Sequence, residues 1–210
     1  MAPGTEEVLS LIKAYTGGII SKTETLQLEL TETLANQLKT TTVDKNLIEI
    51  TPKTKGELSW LNDNTLQFTP AAHLKPATEY EITWKLSKLK TGTPLKDFHY
   101  VFHTITQQID LDIEEIRTQE QASSEVTVSG TVRLADYETP EDLQKIIKAK
   151  QDQAPLDIQL SKATPNSYKF EITHVKRKEA TSKLELEIDA EAIQAGKKAK
   201  HEVEIAPKGE

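Results

Sequence analysis

Apolar and polar residues alternate with a period of two along nearly the whole sequence, and this restricts the fold more than any other feature. Leu26, Leu28 and Leu30 alternate with Gln27 and Glu29, Ile48 and Ile50 flank Glu49, and Leu58 and Trp60 flank Ser59. Leu66 and Phe68 flank Gln67, and Tyr80, Ile82, Trp84 and Leu86 form a further series. Successive side chains of an extended chain point to opposite faces, so each run reads as a strand with one buried face. The second half repeats the pattern at Ile109–Ile113, Val126–Leu134, Leu156–Leu160, Tyr168–Ile172, Leu184–Ile188 and Val203–Ile205. The predicted fold class is all-β: tandem antiparallel sandwiches that cover their apolar faces by stacking sheets.

A sandwich domain takes roughly 100 residues, so a chain of 210 residues holds two. The alternation pauses at Thr106-Gln107-Gln108, which divides the chain into 1–106 and 107–210. No Gly/Ser-rich linker marks the division, so the junction is expected to be short. Asn62-Asp63-Asn64 predicts a tight hairpin from Leu58 to Phe68, because Asn and Asp tolerate left-handed backbone and bond their own turn. One segment departs from the β pattern. Thr139-Pro140-Glu141-Asp142 combines a capping hydroxyl, a proline in the first turn and acids at the positive end of the helix dipole. A single short helix near 140–150 is therefore expected in the second domain, with Leu143, Ile146 and Ile147 on one face. A weaker helical turn is expected over Thr33–Leu38, and strand from Leu11 onward.

The net charge is −7, with both signs scattered along the chain. Nucleic-acid binding needs a concentrated basic face, and none is present. Without cysteine, a disulfide framework, a thiolate metal site and a thiol nucleophile are all excluded. No stretch is long and apolar enough to span a bilayer as a helix. Met1-Ala2-Pro3-Gly4 lacks the basic and apolar regions of a signal peptide.

Candidate chemistry was sought in several constellations. His99 and His103 fall in the strand-like run Phe98–His103. At about 3.3 Å per residue the rings stand roughly 13 Å apart, too far to share one ion. Glu114-Glu115 and Glu185/Glu187 lie among alternating apolar residues, which places them on solvated faces rather than across a cleft as a glycosidase requires. Lys176-Arg177-Lys178 and the lysines at 197, 198 and 200 read as solvated turns. Gly17-Gly18 stands alone and forms no phosphate loop. Trp60 and Trp84 fall on the apolar phases of their strands, as core residues do. No catalytic, cofactor-binding or metal site is expected. The most specific signal is Leu74-Lys75-Pro76-Ala77-Thr78-Glu79-Tyr80. It resembles the tyrosine corner of Ig-like sandwiches, where a tyrosine hydroxyl bonds back to upstream backbone. Leu74, Pro76, Thr78 and Tyr80 are its expected residues.

The order of motifs in the first half resembles a known family. Pro52-Lys53-Thr54-Lys55-Gly56, Thr65-Leu66-Gln67-Phe68-Thr69-Pro70, the corner segment and Phe98–Thr104 resemble the bacterial Ig-like domain that opens large alpha-2-macroglobulin family lipoproteins, particularly those of the Bacteroidetes. The strand, short helix and strand from Val126 to Leu160 resemble the first macroglobulin-type sandwich that follows it. The resemblance implies a non-catalytic, N-terminal scaffold of a broad-spectrum protease trap in the periplasm or cell envelope. It implies that partners are the other domains of a longer chain, and proteases through the full-length protein. The membrane would be reached only through a lipid anchor outside this sequence. The family's thioester needs Cys-x-Glu-Gln. Thr118 stands where the cysteine would precede Glu120 and Gln121, so no thioester is expected here. The alternative reading is a stand-alone Ig-like surface adhesion or glycan-binding module, which predicts an exposed Trp60 or Trp84.

Overall fold

The computed structural model describes residues 9–38, 43, 45–89, 94–118 and 124–208. The chain divides into two compact units, residues 1–105 and 106–210. Each is a sandwich of two four-stranded sheets.

The first unit contains β1 (Ile12–Tyr15), β2 (Gly18–Ile20), β3 (Leu26–Leu30), helix α1 (Glu32–Leu38), β4 (Ile48–Thr51), β5 (Gly56–Trp60), β6 (Thr65–Pro70), β7 (Glu79–Trp84) and β8 (Phe98–Thr104). One sheet runs β1-β3-β6-β5 and the other β2-β8-β7-β4. The period-two residues face inward as read: Leu26, Leu28, Leu30, Leu66 and Phe68 from one sheet, and Ile82, Trp84, Phe98 and Phe102 from the other. Helix α1 closes the core with Leu34, Ala35 and Leu38. The hairpin forms as the asparagines predict. Leu58 pairs with Phe68 and Trp60 with Leu66, and Asn64 N–H donates to Asn62 Oδ1 at 3.0 Å.

The first strand is split between the sheets. β1 pairs antiparallel with β3, whereas β2 pairs parallel with β8. This is a departure from a purely antiparallel reading. A strand that switches sheets while keeping its direction meets the last strand of the unit running the same way. Glycine permits the switch: Gly18 has φ 79°, and a Cβ at Gly17 would stand 2.9 Å from the Tyr15 ring.

The second unit contains β9 (Ile109–Arg117), β10 (Glu125–Leu134), helix α2 (Pro140–Ile146), β11 (Ile147–Gln151), β12 (Ala154–Leu156), β13 (Ile158–Thr164), β14 (Ser167–Lys176), β15 (Ser182–Ile188) and β16 (Ala199–Ile205). Its sheets run β13-β14-β10-β9 and β12-β11-β15-β16. Counting β1 and β2 as one strand in the first unit, and β12 and β13 as one in the second, each unit places its first, second, fifth and fourth strands in one sheet. The third, sixth and seventh lie in the other, as in constant-type Ig sandwiches. The core gathers Val128, Val132, Tyr168, Phe170, Ile172, Leu184 and Leu186, with Leu143 of α2 laid over it.

Helix α2 starts where its cap predicts, with Asp142 N–H donating to Thr139 Oγ1 at 3.1 Å. It ends four residues before the expected limit of about residue 150. Ile147 turns extended, and Ile147-Lys148-Ala149-Lys150 pairs with Ile188–Glu185 of β15. Two adjacent isoleucines thus serve different elements. Ile146 closes the helix face and Ile147 opens a strand, because period-two burial against β15 outweighs a further helical turn.

Strand β9 bulges where Ser129 pairs with Glu115 but Gly130 pairs with Ile113, leaving Glu114 as the extra residue. Gly130 makes the close approach possible. A Cβ there would meet the Asp112 carbonyl oxygen at 2.0 Å and the Phe170 ring at 2.7 Å. Gly130→Ala is therefore expected to destabilise the second unit by about 1–3 kcal/mol without moving the transition of the first. Urea unfolding followed separately at Trp84 and at a second-unit probe measures both, and an unchanged second transition would refute the packing argument.

Candidate functional site

The corner segment forms a continuous hydrogen-bonded structure. Lys75 N–H donates to Tyr80 Oη at 2.9 Å. Thr78 Oγ1 donates to the Pro76 carbonyl at 2.8 Å, and Ala77 adopts φ 49° to turn the chain between them. From the neighbouring strand, Thr104 Oγ1 accepts from Thr78 N–H at 3.0 Å and donates to the Lys75 carbonyl at 2.5 Å. Leu74 is buried and its N–H donates to the Lys22 carbonyl at 2.9 Å. The Tyr80 ring stacks on Phe102 with centroids 5.2 Å apart. Leu74, Pro76, Thr78 and Tyr80 thus meet in one place. Thr104, which carries no local signal in the sequence, joins them from 26 residues away. Every polar atom named here bonds to backbone or to a neighbouring side chain, so the arrangement fixes a crossing between sheets and offers no reactive group.

The other sequence candidates lie on outer faces. His99 Nδ1 is 3.1 Å from Thr83 Oγ1, and His103 Nε2 is 3.0 Å from Glu79. Each histidine bonds to its cross-strand neighbour on β7, not to the other. Among the described residues no group of three His, Asp or Glu side chains is placed to hold a metal. Glu114, aimed outward by the bulge, takes Lys169 Nζ at 2.7 Å and the Thr131 hydroxyl at 2.5 Å. Those bonds, the lysine first, hold its carboxyl below the usual carboxylate range. Thr118 is exposed just past the end of β9, and Glu120 and Gln121 lie outside the described residues.

Gln107, Gln151 and Arg177 are among the buried polar residues that escaped the sequence reading. Gln107, in the segment read only as a pause, is 1% exposed. It donates to the Asp136 carbonyl at 3.0 Å and to Glu138 at 2.8 Å, and accepts from Asp136 N–H at 2.9 Å. Gln151 accepts from Lys176 N–H at 2.9 Å and donates to the Lys176 carbonyl at 2.8 Å. Arg177 corrects an expectation: it does not sit in a solvated turn but is 4% exposed, its guanidinium donating to the carbonyls of Ala206 and Pro207. Its charge is spent on chain oxygens at the end of β16, a role that a local run of basic residues does not announce.

Trp84 is fully buried and Trp60 half-buried against the first core. Tyr100 is pushed up to about 12 by burial, against the opposing influence of Trp84. Tyr100 Oη and Trp84 Nε1 are nevertheless both buried without a partner of hydrogen-bond geometry among the described residues. Tyr15 rests its exposed ring 4.5 Å from Tyr100 and 5.1 Å from Phe98.

No protein-family model and no curated protein matches the chain. Among solved structures, the chain is similar to an LD-transpeptidase in complex with imipenem (12% identity, 71% of this chain and 63% of that one, TM-score 0.31). It is also similar to L,D-transpeptidase 3 from Mycobacterium tuberculosis in complex with a faropenem-derived adduct (11%, 80% and 76%, 0.31). A third is the complex of Dpr2 Ig1-Ig2 with DIP-Theta Ig1-Ig3 (9%, 93% and 62%, 0.29). The chain spans 63% of the first of these and 62% of the last. Such distant similarities do not bear on chemistry. The strand order itself defines the class, an all-β protein of Ig-type sandwiches.

Two outcomes follow from these contacts. Tyr80→Phe leaves the Lys75 N–H without its acceptor, and is expected to cost the first unit about 1–3 kcal/mol in urea unfolding while its circular dichroism stays unchanged. The second concerns the ladder of β11, β15 and β16. Lys150 lies 2.6 Å from Glu187 and 3.3 Å from Glu185, Lys200 lies 3.0 Å from Glu185, and Lys183 lies 2.6 Å from Glu202. Glu185 and Glu202 are lowered from 4.5, first by their bonds to Lys200 and Lys183 respectively. A carboxylate whose folded value lies below its unfolded one stabilises the fold above the unfolded value. That contribution is lost as pH falls through the folded value. The melting temperature of the second unit should therefore drop on acidification below about 4.5, and Glu185→Gln should shallow that drop. Identical acid profiles for the two proteins would refute it.

Proposed function

We propose that this chain is a non-catalytic scaffold, the two N-terminal sandwiches of an alpha-2-macroglobulin-type protease trap at a bacterial cell envelope. The observation that carries the reading is the corner. The residues that make the motif order resemble that family are the ones the first unit uses to hold its sheets together. Tyr80 and Thr78 close the crossing. Pro70 ends β6 opposite Gly56, and a Cβ on Gly56 would strike the Phe68 ring at 2.4 Å. The motif is therefore a specification of a rigid module. Acids that could serve hydrolysis are instead tied to lysines and arginines on outer faces. A spacer needs these properties: stiffness, solubility and no reactive group. In this reading the proteases meet other parts of the full-length protein, and a lipid anchor outside the chain reaches the membrane.

The glycan-binding alternative, which predicts an exposed Trp60 or Trp84, draws less support. Trp84 is enclosed and Trp60 packs on the core. The test is an immunoblot of fractionated source cells with an antibody to this chain. A membrane-associated band many times larger than the chain, shifting to a covalent adduct when a protease is added, is the expected result. A soluble band of the chain's own mass, with no adduct, would overturn the trap reading.

A further inference from the structure

We infer that the second unit binds a short extended peptide, apolar at alternate positions and acidic at one end, along the free edge of β13. This does not depend on the protease-trap reading. An exposed edge strand offers unpaired backbone groups to any extended chain, and proteins guard such edges with brevity, charge or bulges. Among the described strands, β1, β2, β4 and β12 are edges of four residues or fewer. Edge β9 carries Asp110, Asp112, Glu114 and Glu115 together with a bulge, and edge β16 carries Lys200, Glu202 and Glu204. Edge β5 has five residues and includes Glu57. Edge β13 has seven residues, Ile158–Thr164, and its one charge is Lys162. That lysine is held 5.6 Å over the Tyr137 ring. Edge β16 is as long but carries three charges, whereas β13 carries one and its bulge falls only between Lys162 and Thr164, beyond the regular run Ile158–Lys162.

Beside this edge lies a partly open cavity of about 600 Å³. Its apolar wall is Ile147, Leu156, Ile158 and Leu160, the last three only half-buried although they face the second core. The cavity exists because β12 covers β11 only from Ala149 to Gln151 before the chain leaves for the other sheet. A strand laid along β13 would continue that sheet and send alternate side chains into the space, completing the burial of Ile158 and Leu160. Charge selects the peptide. Lys148 lines the cavity, its Nζ donates to the Gln144 carbonyl at 2.8 Å, and the carboxylate opposite it, Glu187, is already taken by Lys150 at 2.6 Å. An acidic residue at the end of the peptide would supply that partner.

The test uses the whole chain, labelled with nitrogen-15, and a blocked peptide of alternating valine and threonine ending in two glutamates. Saturable binding is expected, with amide shifts confined to Ile147, Lys148 and the first residues of β13. Lys148→Gln, an exposed substitution that removes the charge without setting two glutamates opposite each other, is expected to weaken binding by about tenfold. Leu160→Lys, which places a charge in the cavity, is expected to abolish it. Equal binding of a peptide ending in two lysines, shifts located elsewhere, or no saturation at millimolar peptide would each overturn the proposal. Concentration-dependent broadening of the same amides without peptide would overturn it too, by making a second copy of the chain the occupant.

Discussion

The first unit depends on burying the inward face of one strand. Tyr80, Ile82 and Trp84 lie on β7, between β8 and β4, and none is more than 3% exposed. A face this large cannot be covered by its own sheet, so β3 and β6 must stack across it. The chain reaches β7 only by crossing from β6, an inner strand of the other sheet. The corner fixes that crossing. The Tyr80 ring belongs to the core and its hydroxyl belongs to the crossing, so a single residue sets both the packing of the sheets and the path between them. Thr104 locks the same turn to the last strand of the unit, which is why the end of β8 and the start of β7 stay in register.

Most of this was legible because its causes are local. Alternation shows in any window of five residues. The hairpin at Asn62–Asn64 and the cap at Thr139 are written in adjacent residues. The corner motif spans seven positions. What escaped reading depends on partners far along the chain. Gln107 meets Asp136 and Glu138 about thirty residues on, and Arg177 meets Ala206 and Pro207 at a similar distance. In sequence these are polar residues among polar residues, and nothing nearby states that they are enclosed. The end of α2 was misplaced for a related reason. Ile146 and Ile147 fit the helical face equally well, and the pairing that claims Ile147 for a strand comes from Ile188.

Apart from Arg177, which is buried, and Lys200, which lies in β16 and not in a turn, the charged residues singled out in the sequence sit on outer faces as read, and the structure adds why they are so ordered. On β11, β15 and β16, lysines face glutamates across each pair of strands, so no like charges stand directly opposite except Glu185 and Glu202, which share Lys200. Exposed ion pairs contribute little individually. Their arrangement instead gives the pairing of the strands a single favourable register, since a slip of one residue would turn the whole charged row toward the core.

The two units share a strand order but close the same crossing with different chemistry. In the first, the passage from β6 to β7 is held by the Tyr80 hydroxyl on a backbone N–H. In the second, the corresponding passage from β14 to β15 has no tyrosine. Gln151 grips both backbone groups of Lys176 and reaches Ser182 Oγ at 3.3 Å, while Arg177 binds the chain end beyond β16. The crossing is where a sandwich exposes the most backbone without a strand partner, and a buried N–H or carbonyl left unpaired there costs more than the bond itself contributes. Either solution satisfies those groups. Each also consumes the polar atoms it uses, so Tyr80 Oη and the Gln151 amide are committed to backbone. That commitment ties each crossing to the strands that flank it.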